Sequence, residues 1–99
     1  AVDMAMAAKY RNNGQVCISP SRFYIHESKK KKFTESFVDK TLKLKIGNGM
    51  DKGVQLGPIT TEKRLKEIEK LVEVTKKEGA KILCGGNINS CFFFRYPFR

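Results

Sequence analysis

Cys17 stands in the run Tyr10-Arg11-Asn12-Asn13-Gly14-Gln15-Val16-Cys17-Ile18-Ser19-Pro20. A cysteine thiolate is a strong nucleophile and a good leaving group, the two properties covalent catalysis needs. Here the thiol follows an alanine- and methionine-rich helical segment across an Asn-Asn-Gly break. That placement sets it near exposed backbone N–H groups. By residue type alone, a cysteine more commonly serves as a small buried hydrophobe. The sole histidine, His26, lies nine residues further on. A Cys-His dyad would need it to turn toward the thiol. Beside Glu27 at a strand end, it reads instead as a solvated surface residue. The three cysteines, Cys17, Cys84 and Cys91, show neither close pairing nor a histidine spacing suited to zinc, so no metal site is expected. Their odd number, with no visible signal peptide, implies free thiols in a reducing compartment, hence a cytoplasmic location.

The elements that must hold Cys17 follow from periodicity. Ala1 to Arg11 predicts a mostly buried helix, broken at Asn12-Asn13-Gly14. Arg22 to His26 alternates, with Phe23 and Ile25 on one face, and predicts a short strand. Ser28 is a candidate cap for the next helix. Its apolar positions are Phe33, Phe37, Val38 and Leu42, and its first turn carries Lys29 to Lys32, which oppose the helix dipole and favour fraying. Ile46 to Pro58 holds four glycines and one proline and reads as a long connecting loop. No phosphate-binding glycine pattern lies in it.

Thr60 or Thr61 begins the clearest helix, with Leu65, Ile68, Leu71, Val72 and Thr75 in one stripe. Glu62–Lys66 and Glu73–Lys77 are i,i+4 pairs of favourable polarity, and Gly79 is the C-terminal cap. Ala80 to Cys84 reads as a buried strand, left through Gly85-Gly86. The order helix, strand, helix, helix, strand implies an α/β unit with parallel strands.

A chain of 99 residues holds at most one small domain with a thin margin of stability. It contains no apolar run of membrane-spanning length, so no membrane partner is expected. The net charge of +10 would suit an acidic partner such as nucleic acid. However, Lys29 to Lys32 is the only basic block. The other lysines alternate with glutamate, as in Glu62-Lys63-Arg64-Leu65-Lys66-Glu67, which reads as a solvated face. No nucleic-acid motif accompanies the charge.

The run around Cys17 resembles the active-site segment of the NAD(P)-dependent aldehyde dehydrogenases, roughly Phe-x-Asn-x-Gly-Gln-x-Cys. Tyr10 takes the aromatic place, Asn12, Gly14 and Gln15 match, and Cys17 falls on the nucleophile. Ser21-Arg22-Phe23-Tyr24-Ile25-His26 resembles the strand that follows it. Lys45-Ile46-Gly47-Asn48-Gly49-Met50-Asp51, Leu56-Gly57-Pro58 and Gly79-Ala80-Lys81-Ile82-Leu83-Cys84-Gly85-Gly86 continue the likeness in order, which reaches about residue 94. Phe92-Phe93-Phe94 looks like the family's aromatic strand. From Arg95 the sequence departs from it, since the expected Pro-Thr pair is missing.

The resemblance implies a fragment, residues 1–99, of an aldehyde dehydrogenase catalytic domain, with helices packed on a mainly parallel sheet. It implies oxidation of a small aldehyde to a carboxylic acid through a thiohemiacetal and a thioester on Cys17. The backbone N–H of Cys17 is a candidate oxyanion donor. NAD or NADP would be bound by regions outside this chain, as would the general base, and the full-length parent would form a homo-oligomer. The stretch Gln15 to Phe23 looks closest to bacterial succinate-semialdehyde enzymes. Arg22 would face a substrate carboxylate or, more ordinarily, serve structure. The alternative is a truncated, non-catalytic remnant of the family with only a packing or binding role. On either reading the isolated chain is expected to be inactive.

Overall fold

The computed structural model describes residues 1–89, 92 and 93. Three helices dominate: α1 over Val2–Tyr10, α2 over Glu27–Leu42 and α3 over Glu62–Lys77. Two two-residue strands follow, β1 (Ile88–Asn89) and β2 (Phe92–Phe93). They pair antiparallel, with Ile88 opposite Phe93 and Asn89 opposite Phe92. Cys91 and the divergent stretch from Arg95 lie outside the described residues.

The helix termini follow local chemistry. At α3, the Thr61 hydroxyl accepts the Arg64 N–H at 3.2 Å, the bond an N-cap makes to one of the helix's orphan donors. At the other end the Ala80 N–H reaches the Thr75 carbonyl and the Gly79 N–H the Lys76 carbonyl, with Gly79 at φ +94°. This is a Schellman closure, and it needs the left-handed backbone that glycine adopts freely. The cap of α2 differs from expectation. His26, not Ser28, is the N-cap, and its Nδ1 accepts the Ser28 N–H at 3.3 Å.

The α1–α2 pair carries the aromatic core. Phe37 is buried and meets Tyr10, Phe23 and Phe33 at ring-centroid distances of 6.0, 5.7 and 5.8 Å, within the range of favourable aromatic pairs. Thr41 is fully buried, yet its hydroxyl is satisfied by the Tyr10 phenol at 3.0 Å and by Met6 Sδ at 3.5 Å. Outside this core, Lys40 pairs with Asp3 and ties α2 to the start of α1. The expectation that α1 is mostly buried fails. No residue of α1 is buried, and Met4 is 77% exposed, because only one side of the helix meets α2. Leu42 is likewise exposed at the end of α2.

The predicted parallel sheet is absent among the described residues. Arg22 to His26 runs without strand pairing; Phe23 touches the Phe33 and Phe37 rings yet stays 40% exposed, and Tyr24 is 90% exposed. In Ala80 to Cys84 only Ile82 forms a bridge, and that segment is half-buried rather than buried. A strand is completed by hydrogen bonds from a neighbour, and Arg22 to His26 meets no such ladder among the described residues. The one parallel contact recorded in the connecting loops is an isolated bridge between Ile46 and Leu56. That bridge pinches the glycine loop shut at its neck. The Gly47 N–H donates to the Leu56 carbonyl at 3.0 Å and the Gln55 N–H to the Lys45 carbonyl at 2.8 Å. The Asn48 side chain holds the Met50 N–H at the tip. The segment is a self-packed loop with its ends together, seated by the buried side chain of Leu56.

Candidate active site

Cys17 is delivered by a sharp reversal at the end of α1. Asn12 and Asn13 both adopt left-handed backbone, at φ 47° and 58°, and Gly14 follows at φ +77°. Left-handed backbone costs most L-residues roughly 1–2 kcal/mol each, and least for asparagine. The sequence Asn-Asn-Gly is therefore what such a turn requires. A β-carbon at position 14 would lie 3.2 Å from the Lys9 carbonyl oxygen, so Gly14 is demanded by space as well as by φ.

Beyond Gly14 the chain makes a β-turn closed by the Ser19 N–H on the Val16 carbonyl at 2.9 Å. Cys17 occupies the second place of that turn and is exposed. Its own N–H and that of Ile18 make no hydrogen bond among the described residues. The arrangement presents a free thiol beside free amide donors.

Two sets of side-chain bonds fix the turn. On one side, Lys9 Nζ donates to the Pro20 carbonyl at 3.0 Å and the Ser19 hydroxyl to the Lys9 carbonyl at 3.4 Å. Burial holds the Lys9 ammonium below its ordinary pKa. On the other side, Asn13 spans the chain to the end of the glycine loop. Its Oδ1 accepts the Gly57 N–H at 3.0 Å and its Nδ2 donates to the Pro58 carbonyl at 3.1 Å. The Thr60 hydroxyl donates to Gln15 Oε1 at 2.6 Å.

Of the motif residues singled out in the sequence, Gln15 and Gly14 take structural parts in this turn. The Asn12 carbonyl accepts the Gln15 N–H at 3.0 Å, but its side chain makes only a long contact, 3.5 Å, to the Gln15 carbonyl. His26 is engaged as the cap of α2, with Nδ1 also 2.9 Å from the Ser28 hydroxyl. Arg22 is exposed. Cys84 is half-buried. Sequence reasoning missed Lys9, Asn13 and Thr60. Only Asn13 carried a signal, as part of a dipeptide suited to left-handed backbone.

Nothing among the described residues cradles a dinucleotide. The N-termini of α2 and α3 are closed by their own caps, His26 and Thr61, rather than opened by glycines toward a phosphate. A shallow hollow of about 350 Å3 lies along α3 between Arg64, Glu67, Lys70, Leu71 and Val74, and no residue of the Cys17 turn lines it. No helix among the described residues is long and apolar enough to cross a membrane.

The sequence profile of the Aldehyde dehydrogenase family matches residues 1–94, and the chain belongs to that family. Glutarate-semialdehyde dehydrogenase of Pseudomonas putida is 37% identical over 94 residues, covering 95% of this chain and 20% of the relative. Succinate-semialdehyde dehydrogenase (NADP+) of Escherichia coli is 37% identical over 86 residues, covering 87% of this chain and 18% of the relative. Among solved structures, betaine aldehyde dehydrogenase from Staphylococcus aureus in complex with NAD+ superposes with a TM-score of 0.93 at 34% identity. That match covers 98% of this chain and 21% of the other. The chain thus spans about a fifth of the length of the relatives it matches.

Proposed function

We propose that these 99 residues are a fragment of the catalytic domain of a longer enzyme that oxidises a small aldehyde to a carboxylic acid with NAD or NADP, and that Cys17 is its nucleophile. The exposed thiol at the second place of a tightly held turn, beside the unbonded N–H of Cys17, is the observation that carries this reading. The family membership supports the reaction class. In the longer protein, Arg22 to His26 and Ala80 to Cys84 would gain neighbours and join a mainly parallel sheet. The assembly would be a soluble homo-oligomer. The substrate class we propose is a semialdehyde, since two of the similar enzymes carry succinate or glutarate semialdehyde in their names.

This chain's share of the reaction is the covalent one. The Cys17 thiolate adds to the carbonyl carbon, a C–S bond forms, and the π pair moves to oxygen to give a thiohemiacetal alkoxide. The Cys17 N–H would donate to that oxygen. Once the carbon is oxidised, a thioester to Cys17 remains. Water then attacks it, the C–S bond breaks, and the thiolate is restored as the acid leaves. A nicotinamide supplies the hydride acceptor in such chemistry, and the residues that would hold it belong to other segments.

The full-length protein is expected to oxidise succinic semialdehyde and to lose that activity on Cys17→Ala. An active Cys17→Ala enzyme overturns the assignment. A wild-type protein that is folded but inert toward aldehydes favours the remnant with a packing role.

A further inference from the structure

We propose that Asn13 is a positioning residue for Cys17, acting as a clamp that locks the nucleophile's turn to the end of the glycine loop. The proposal rests on the reading of Cys17 as the nucleophile. Both polar atoms of the Asn13 carboxamide are spent on neighbouring peptides of one strap: Oδ1 on the Gly57 N–H at 3.0 Å and Nδ2 on the Pro58 carbonyl at 3.1 Å. These bonds join segments 44 and 45 residues apart in sequence. The strap approaches closely enough that a β-carbon on Gly57 would sit 3.6 Å from Asn13 Nδ2. One residue earlier the strap is anchored by buried Leu56, and two residues after Pro58 the Thr60 hydroxyl holds Gln15 at 2.6 Å. A continuous path therefore runs from a buried side chain, through Gly57 and Pro58, to Asn13 and Gln15. Cys17 stands two residues beyond Gln15.

The neighbouring Asn12 shares the left-handed backbone but reaches no other segment through its side chain. Local turn-making thus accounts for Asn12 and leaves the carboxamide of Asn13 unexplained. A clamp of this kind acts on orientation. Displacing a reacting atom by about 1 Å can cost roughly 100-fold in rate, whereas substrate affinity is set elsewhere.

The test uses the full-length enzyme carrying Asn13→Gly. Glycine adopts the left-handed backbone freely, so the turn is retained while both clamp bonds vanish. The expected result is a kcat for semialdehyde oxidation lowered roughly tenfold or more, with KM changed less than about twofold. The second-order rate of Cys17 alkylation by iodoacetamide should shift with it. Asn13→Asp keeps the acceptor for Gly57 but sets a carboxylate oxygen against the Pro58 carbonyl, so it too should lower kcat and shift the alkylation rate. Should Asn13→Gly fail to fold, Asn13→Asp and Thr60→Val carry the same readouts. A kcat and an alkylation rate both unchanged, with only the melting temperature lowered, would overturn the clamp. Loss of activity in Cys17→Ala beside a fully active Asn13→Gly sinks the clamp and leaves the nucleophile standing. If Cys17→Ala stays active, the nucleophile reading fails, and the alkylation rate alone then decides the clamp: slowed supports it, unchanged overturns it.

Discussion

Gly14 answers two constraints at once. Its φ of +77° is a region L-side chains rarely adopt, and any β-carbon there meets the Lys9 carbonyl at 3.2 Å. Gly14→Ala is therefore expected to destabilise the fold by about 1–3 kcal/mol, read as a lowered melting temperature. The Asp3–Lys40 pair lends itself to a different measurement. The hydrogen bond from Lys40, then its charge, holds the Asp3 carboxyl below its ordinary value. A carboxylate with a depressed folded pKa contributes stability above its unfolded pKa, and that contribution is lost as pH falls through the folded value. Carboxyl-carbon NMR should place the Asp3 midpoint below that of an ordinary aspartate, and Lys40→Met should return it upward. An Asp3 titration untouched by Lys40→Met would discount the pair. At this scale the sequence made the break of α1 at Asn12-Asn13-Gly14 legible, because it is local. The partners of Asn13 and Lys9 were not, since a carboxamide or an ammonium gives no sign of which distant carbonyl it will meet.

Among the elements, α3 was the most legible, because a helix carries its own hydrogen bonds and its caps are neighbours in sequence. Thr61 was one of two candidate starts and proved to be the cap. Gly79 closes the other end, and Glu62–Lys66 forms at 2.9 Å. The second predicted pair does not form, and Arg64–Glu67 forms instead at 3.0 Å. Thr61→Ala is expected to cost about 1 kcal/mol, detectable by circular dichroism as an earlier melt. The apolar stripe needs a correction in its centre. Val72 is the buried residue of α3, Ile68 is half-buried, and Leu71 is 56% exposed. Val72→Asp would place an unpaired charge in the interior and should cost on the order of 3 kcal/mol or more. Leu71→Asp should leave the melt nearly unchanged. Equal sensitivity at both positions would mean that the face is misassigned. The strands were misread for the opposite reason. Alternation sets Phe23 against the α2 aromatics, though it stays 40% exposed, and Tyr24 outward, but pairing depends on neighbours that no local pattern supplies.

At the scale of the whole molecule, few apolar side chains are covered. Among the described residues the buried apolar set is Phe37, Leu56 and Val72, whereas Ile18, Tyr24, Leu42 and Met50 stand well exposed. Stability of so small a unit rests on little burial. The turn at Cys17 is itself well held from both sides, so the thiol's presentation belongs to this chain, while the cofactor is proposed to be held by segments outside it. The two properties separate experimentally. The isolated 99 residues should react with iodoacetamide at Cys17 in preference to Cys84, because one thiol is exposed and the other half-buried. Peptide mapping after labelling at neutral pH reads this directly. The same preparation, given succinic semialdehyde with NAD or NADP, should yield no reduced nicotinamide by absorbance. Thioester hydrolysis would also lack a positioned base, a contribution of roughly 10²–10⁴-fold. Preferential labelling of Cys84 would remove Cys17 from its role. Steady production of reduced nicotinamide by the chain alone would show that these residues hold a complete active site.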